Sequence, residues 1–120
     1  MKSERNQNDS NNEECIYDKI TKRPDYIRAS TGSNVRTSSL FLQKFNRKDN
    51  EIPRYGITAT KKVGIAVDRN KAKRRLRHAI KEVLPNWGES GYDYVVVATK
   101  KTNILPWDVI ISDLERAFKE

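Results

Sequence analysis

Residues 69–84 read Arg-Asn-Lys-Ala-Lys-Arg-Arg-Leu-Arg-His-Ala-Ile-Lys-Glu-Val-Leu, and two patterns are superposed on them. Arg69, Lys71, Lys73, Arg74, Arg75 and Arg77 make six of the first nine positions basic. Ala72, Leu76, Ala79, Ile80 and Val83 recur at three- and four-residue spacing, so at about 100° per residue they fall on one side of a helix. Asn70, Lys73, Arg74, Arg77 and Lys81 gather roughly opposite. Such a helix lays its apolar side on a sheet and leaves its basic side in water. No acid occurs from Arg69 to Lys81, whereas faces charged only for solubility usually mix both signs. Like charges at these spacings repel, and an anionic partner offsets that cost. Asp68 precedes the first turn, where a carboxylate caps free N–H groups. The helix is expected to begin near 65–68 and to stop at Pro85.

Before this helix, Thr60-Lys61-Lys62-Val63-Gly64 puts two lysines, a hydroxyl and a glycine at a corner suited to phosphate. Its spacing is not that of a Walker loop. Arg54 to Lys61 alternates Tyr55, Ile57 and Ala59 with Arg54, Gly56, Thr58 and Thr60, which predicts a strand. Ser39 to Phe45 predicts another, with Leu40, Leu42 and Lys44 on one face and Phe41, Gln43 and Phe45 on the other. The polar loop 46–53 between them predicts an antiparallel hairpin. Thr21-Lys22-Arg23-Pro24 leads into a short helix that ends by Gly32.

Beyond the basic helix, Tyr92 to Thr99 contains Val95-Val96-Val97-Ala98, a run suited to a central strand covered on both faces. After Pro106 a final helix carries Trp107, Ile110, Ile111, Leu114, Ala117 and Phe118 on one buried stripe. That spacing makes Trp107 and Phe118 core residues. Residues 1–15 are polar and are expected to be a disordered extension, leaving 16–120 as one domain.

The chain has 120 residues and a net charge of +8, with a pI near 9.7. Residues 1–15 hold two bases and four acids, so the remainder carries +10. A field of that strength attracts polyanions, either nucleic acid or an anionic membrane surface. No apolar run approaches the roughly 20 residues of a spanning helix, and no signal-peptide core follows Met1. Cys15 is alone, which excludes an internal disulfide and a cysteine-based zinc site and fits a reducing cytoplasm. His78 is the single histidine and has no catalytic or metal-binding partner at suitable spacing. The acids are scattered, and no protein-borne active site is evident.

On these residues the chain resembles the protein component of bacterial ribonuclease P. The resemblance rests on Arg54-Tyr55-Gly56, Thr60-Lys61-Lys62-Val63-Gly64, Ala66-Val67, and above all Arg69-Asn70 followed by Lys73-Arg74 and Arg77. Asp25-Tyr26, Gly32, Asp93-Tyr94 and the closing amphipathic helix support it, so it runs from about Ile20 to Phe118. It implies an α+β fold, a single-domain α-β-β-β-α-β-α sandwich with a left-handed βαβ crossover and helices packed on a small mixed sheet. Three strands are plain in the sequence, so the fourth must be a short piece near Val35 to Thr37 or a split of the first. The resemblance also implies two RNA surfaces. Lys61, Lys62, Arg69, Asn70, Lys73, Arg74 and Arg77 would contact the catalytic RNA. A cleft between the first helix and the sheet would hold the 5′ leader of precursor tRNA, with Tyr26 at the aromatic position of the first helix. Phe41, an aromatic able to stack on an unpaired base, and Gln43 and Lys100 are the further candidate contacts. Ser30 stands where a second aromatic is often found, Gln43 where a tyrosine can occur, and Thr99 where an arginine is frequent. Such a cleft relies less on stacking. The resemblance further implies a subunit of an endoribonuclease that matures the tRNA 5′ end, one protein with one RNA, in the cytoplasm and off the membrane. Cleavage would belong to the RNA and its magnesium, with no cofactor held by a protein motif. A structural RNA-binding protein of ribosomal type is the alternative that charge and fold permit. A basic helix reading duplex DNA is a third, disfavoured because no helix-turn-helix pair flanks it.

Overall fold

The computed structural model describes residues 17–120, which form β1 (Asp18–Lys19), α1 (Arg23–Ala29), β2 (Ser33–Arg36), β3 (Leu40–Asn46), β4 (Arg54–Thr58), α2 (Ala66–Trp87), β5 (Tyr92–Ala98) and α3 (Trp107–Lys119). Short 3₁₀ turns at Lys61–Val63 and Lys100–Asn103 precede α2 and α3. The expected extension over 1–15, with Cys15, lies outside the described residues. The result is an α+β domain with one five-stranded mixed sheet in the order β1-β4-β5-β3-β2. β2 is the short fourth strand expected near Val35, and β1 is an added edge strand that the sequence did not suggest.

The expected hairpin between the strands at 39–45 and 54–61 does not form. β5 lies between them, antiparallel to β3 with Leu42 opposite Val96, and parallel to β4 with Ile57 opposite Val96. Val95, Val96 and Tyr94 are all within 2% of full burial, and a strand this apolar is stable only at the centre of a sheet with both faces covered. That need outweighs the short loop that would otherwise favour the hairpin. β4 also ends at Thr58, three residues early, because the chain turns through Lys61–Val63 to enter α2.

The two faces of the sheet are covered unequally. α2 and α3 bury Leu40, Leu42, Tyr55, Tyr94, Val96 and Ala98 under Leu76, Ile80, Val83, Leu84, Ile110 and Leu114. The other face has only the two-turn α1, which closes a small cluster of Ile20, Ala29 and Val95. Pro85 does not end α2, which continues to Trp87. Pro85 and Lys81 are both exposed, so the hydrogen bond that proline removes from the Lys81 carbonyl falls on the solvent side. Gly88 N–H closes the last turn on the Leu84 carbonyl at 2.7 Å. Phe118 is buried against Tyr94, with ring centroids 4.6 Å apart. Trp107 is not a core residue: it is the first residue of α3 and is 37% exposed.

At the Arg54 end of β4 the buried Asp93 carboxylate receives Nε and Nη2 of Arg54, each at 2.8 Å, and Nη1 of Arg47. Arg47 also donates to the Tyr92 and Ile52 carbonyls and to Asp49. This arginine therefore staples loop 47–53 to the sheet. Burial alone would raise the Asp93 carboxyl, but the bonds from Arg54 and Arg47 outweigh it and hold the group below the usual carboxylate range. A depressed carboxyl contributes stability that is complete above its unfolded value, about 3.9, and is lost as pH falls through the lower folded value. Asp93→Asn is expected to cost about 3 kcal/mol at pH 7 by removing the buried charge on which Arg47 and Arg54 converge. It should also remove part of the acid-induced loss of stability, measured by urea unfolding from pH 7 to pH 2.

Candidate nucleic-acid interface

The apolar stripe of α2 is buried as its spacing requires, and this fixes which side chains face water. Asn70, Lys71, Arg74, Arg77 and Lys81 are exposed, while Arg69, Lys73 and Arg75 are half-buried. Two of these arginines brace the helix. Arg69 Nη1 donates to the Gly64 carbonyl at 2.9 Å, and Arg75 Nη2 to the Leu105 carbonyl at 3.0 Å. Arg69 thus serves the fold with one N–H, and the rest of its fork has no partner among the described residues. Asp68 does not cap the helix. The N-cap is Ile65, and Asp68 sits in the first turn, where its charge suits the helix dipole. Its carboxylate lies near Gly64, whose φ of +143° is a conformation that side-chain-bearing residues rarely adopt and where an added Cβ would come within 2.6 Å of Asp68 Oδ2. Among the described residues, no basic side chain from Arg69 to Lys81 forms an ion pair.

Lys61 and Lys62, placed by sequence beside that helix surface, also line a groove of about 990 Å³ on the sparsely covered side of the sheet. Phe41 and Val97 lie in it, and Arg36, Lys61, Lys62, Lys100 and Lys101 line it with no acid among them. It therefore joins Phe41 and Lys100, expected at the leader, to Lys61 and Lys62, expected at the catalytic RNA. Arg36 was missed because the register of β2 cannot be read from its four residues.

The groove is held open by a hydrogen-bonded frame. Buried Asp113 accepts from Ser38 Oγ at 2.8 Å, Ser39 Oγ at 2.7 Å and Ser39 N–H at 3.2 Å. The Ser39 carbonyl then accepts from Thr102 Oγ1 at 2.6 Å and Thr99 Oγ1 at 3.0 Å. One carboxylate on α3 thereby ties the β2–β3 turn to the turn bearing Lys100 and Lys101, linking the two walls of the groove. Nothing in the spacing of Ser38, Thr99, Thr102 and Asp113 signals this frame.

Tyr26 lies elsewhere. Its ring covers Gly56, where an added Cβ would come within 2.6 Å of it, and its hydroxyl donates to the Ile20 carbonyl at 3.4 Å. A pocket of about 170 Å³ there is lined by Tyr26, Gly56, Lys19, Lys73 and Arg77. The aromatic expected at the leader is thus beside two signature cations expected at the catalytic RNA. Gln43 pairs across the sheet with Val95, as Phe41 does with Val97, and Gly56 pairs with Val95 in turn. Gln43 therefore shares the row of Tyr26, and it is not among the residues lining the groove. Among the described residues, no cluster of His, Cys, Asp or Glu could hold a metal ion, and no helix is long and apolar enough to cross a membrane.

A family model described as Ribonuclease P matches residues 17–120. The ribonuclease P protein component of Caulobacter vibrioides is 38% identical over 102 residues, covering 84% of this chain and 68% of the relative. That of Ruegeria pomeroyi is 39% identical over 104 residues, covering 84% and 83%. The solved RNase P protein of Staphylococcus aureus superposes with a TM-score of 0.69 at 30% identity, over 84% of this chain and 92% of that one.

The clearance at Gly56 generates a prediction. Gly56→Ala should fold, at a cost of about 1 kcal/mol from overpacking, by pushing the Tyr26 ring outward. Its loss of RNA affinity should match that of Tyr26→Ala, and the double variant should be no weaker than either single one, since both remove the same ring position. Titration of a labelled single-stranded RNA measures all three.

Proposed function

The chain belongs to the ribonuclease P protein family, and from that premise we propose how its cationic surfaces share two RNAs. It is the protein subunit of ribonuclease P, a partner of the ribonuclease P RNA in tRNA processing. The exposed flank of α2, with Arg69, Asn70, Arg74 and Arg77, docks on that RNA. Arginine suits this contact because its planar fork bonds two phosphate oxygens at once, and Asn70 offers an amide that reaches a ribose hydroxyl or a base edge. The groove lined by Phe41, Lys61, Lys62, Lys100 and Lys101 takes the 5′ leader of precursor tRNA, an unpaired strand with a phosphate at every step and a face on every base. Lys73, Arg77 and Tyr26 share one pocket and sit where the two RNAs meet.

The observation that carries this reading is a set of cations without acidic partners among the described residues, running from α2 into a groove whose walls are joined by hydrogen bonds. Cleavage falls to the RNA and its magnesium in this reading; among the described residues, the acids that converge around Asp93 are held by Arg28, Arg47 and Arg54. The protein supplies affinity and register, with one copy serving one RNA. Nothing found favours the alternative of an RNA-binding protein with no part in cleavage.

The test mixes purified protein with precursor tRNA, with and without the catalytic RNA. The expected outcome is stimulated 5′ maturation only when the RNA is present; cleavage by protein alone would overturn the division of labour. Asn70→Ala with Arg74→Ala should weaken catalytic-RNA binding, and the loss of Arg74 should flatten the log–log salt slope by about 0.7–0.9 for its phosphate contact. Lys61→Ala with Lys62→Ala should instead reduce the preference for precursor over mature tRNA.

A further inference from the structure

We propose that Arg36 reads one base of the leader, that the base stacks on Phe41, and that guanine is the base accepted. This rests on the leader lying in the groove. Arg36 and Phe41 are directly paired across β2 and β3, on the face α1 leaves open. The Arg36 guanidinium carbon stands 4.5 Å from the centroid of the Phe41 ring. Among the described residues it has no ion pair and no hydrogen bond to protein, although the family of arginines at the far end of the sheet, Arg28, Arg47 and Arg54, all engage carboxylates. Its fork of five N–H donors is therefore unengaged by protein, at the rim of a groove whose other charges are four lysines.

The placement distinguishes Arg36 from those lysines. A lysine meets a phosphate as a point charge and is indifferent to sequence. An arginine lying over the platform on which a base stacks is one rotamer away from that base's edge. The cation–π contact it leaves is weak at an exposed site, and the incoming base replaces it on the ring. Arginine bonds guanine in bidentate fashion through O6 and N7, whereas adenine presents an amino donor where guanine has O6. The backbone behind the pair is rigid: Thr37 N–H and Thr37 Oγ1 both bond the Leu40 carbonyl, at 2.9 and 2.8 Å, and Asp113 fixes the serines between them. Platform and reader are thus set relative to each other by the turn that Asp113 anchors.

The experiment uses holoenzyme reconstituted with catalytic RNA and a series of precursor tRNAs whose leader carries each base in turn at each position. The wild-type protein is expected to favour guanine over adenine roughly tenfold in kcat/KM at one position, the lower end for a bidentate contact. Arg36→Ala and Arg36→Lys should both reduce that ratio below about twofold, the lysine variant because it keeps the charge and loses the fork. A guanine preference that survives in both variants, or equal use of all four bases by the wild type, overturns the role of Arg36. Failure of the groove reading shows separately: Lys61→Ala with Lys62→Ala would then leave the precursor-to-mature preference intact. Thermal unfolding of the Arg36 variants should match the wild type, as expected for an exposed position.

Discussion

Every other element takes its position from the strand Tyr92–Ala98. It has four consecutive buried residues from Asp93 to Val96, and such a strand must have neighbours on both edges and cover on both faces. Its two neighbours come from earlier in the chain and run in opposite senses, one parallel and one antiparallel. The parallel neighbour, Arg54–Thr58, can reach it only by a crossover, and the basic helix is that crossover. Its apolar stripe is therefore committed to one face of the sheet, and its cationic flank is carried to the side. The opposite face receives only the seven residues of Arg23–Ala29. What that helix leaves uncovered, past the C-terminal ends of the parallel pair, is the groove, in keeping with the general siting of ligands at the carboxyl ends of parallel strands.

The same topology separates charge along the sheet. At the Arg54 end, Asp93 and Asp25 absorb Arg28, Arg47 and Arg54, and the local field is largely neutralised. At the Thr58 end the groove gathers Arg36, Lys61, Lys62, Lys100 and Lys101 with no carboxylate among its lining residues. A net charge of +8 would give a diffuse attraction if spread evenly. Concentrated on one end and one helix flank, it orients an incoming polyanion as well as attracting it.

How far the sequence revealed this depended on range. The basic helix, its buried stripe, the central strand and the final helix follow from periodicity, which is local. Leu76, Ile80 and Val83 are buried and Arg74 and Arg77 exposed, as helical spacing requires. Strand order is a long-range property, and the apparent hairpin of 39–45 with 54–61 failed because no local signal could show that residues 92–98 would intervene. Pro85 misled for the opposite reason. A proline costs a helix one hydrogen bond, and near the end of a 22-residue helix with a solvent-facing carbonyl that loss is affordable. The candidate site divides in the same way. The signature cations were legible as a linear motif, whereas the joining of Lys61, Lys62 and Lys100 with Phe41, and of Tyr26 with Lys73 and Arg77, exists only once the sheet is assembled.

Rigidity gives the groove its value as a binding surface. Ordering a flexible loop around a single strand would cost about 1–2 kcal/mol for each residue fixed, a large share of what stacking one base returns. Here hydrogen bonds within the protein already hold the backbone on both sides of the groove. Asp113 holds Ser38 and Ser39, Ser39 holds Thr99 and Thr102, and the lysines on either side project from backbone that has already folded. The contrast with an unstructured basic tail is thermodynamic as well as geometric. A tail of equal charge would gain the same counterion release but would spend conformational entropy on each contact, and would bind any accessible phosphates. A preformed groove floored by Phe41 suits, under the proposed reading, a single strand whose bases can leave their stack, and selection by shape of that kind would add to what charge alone supplies.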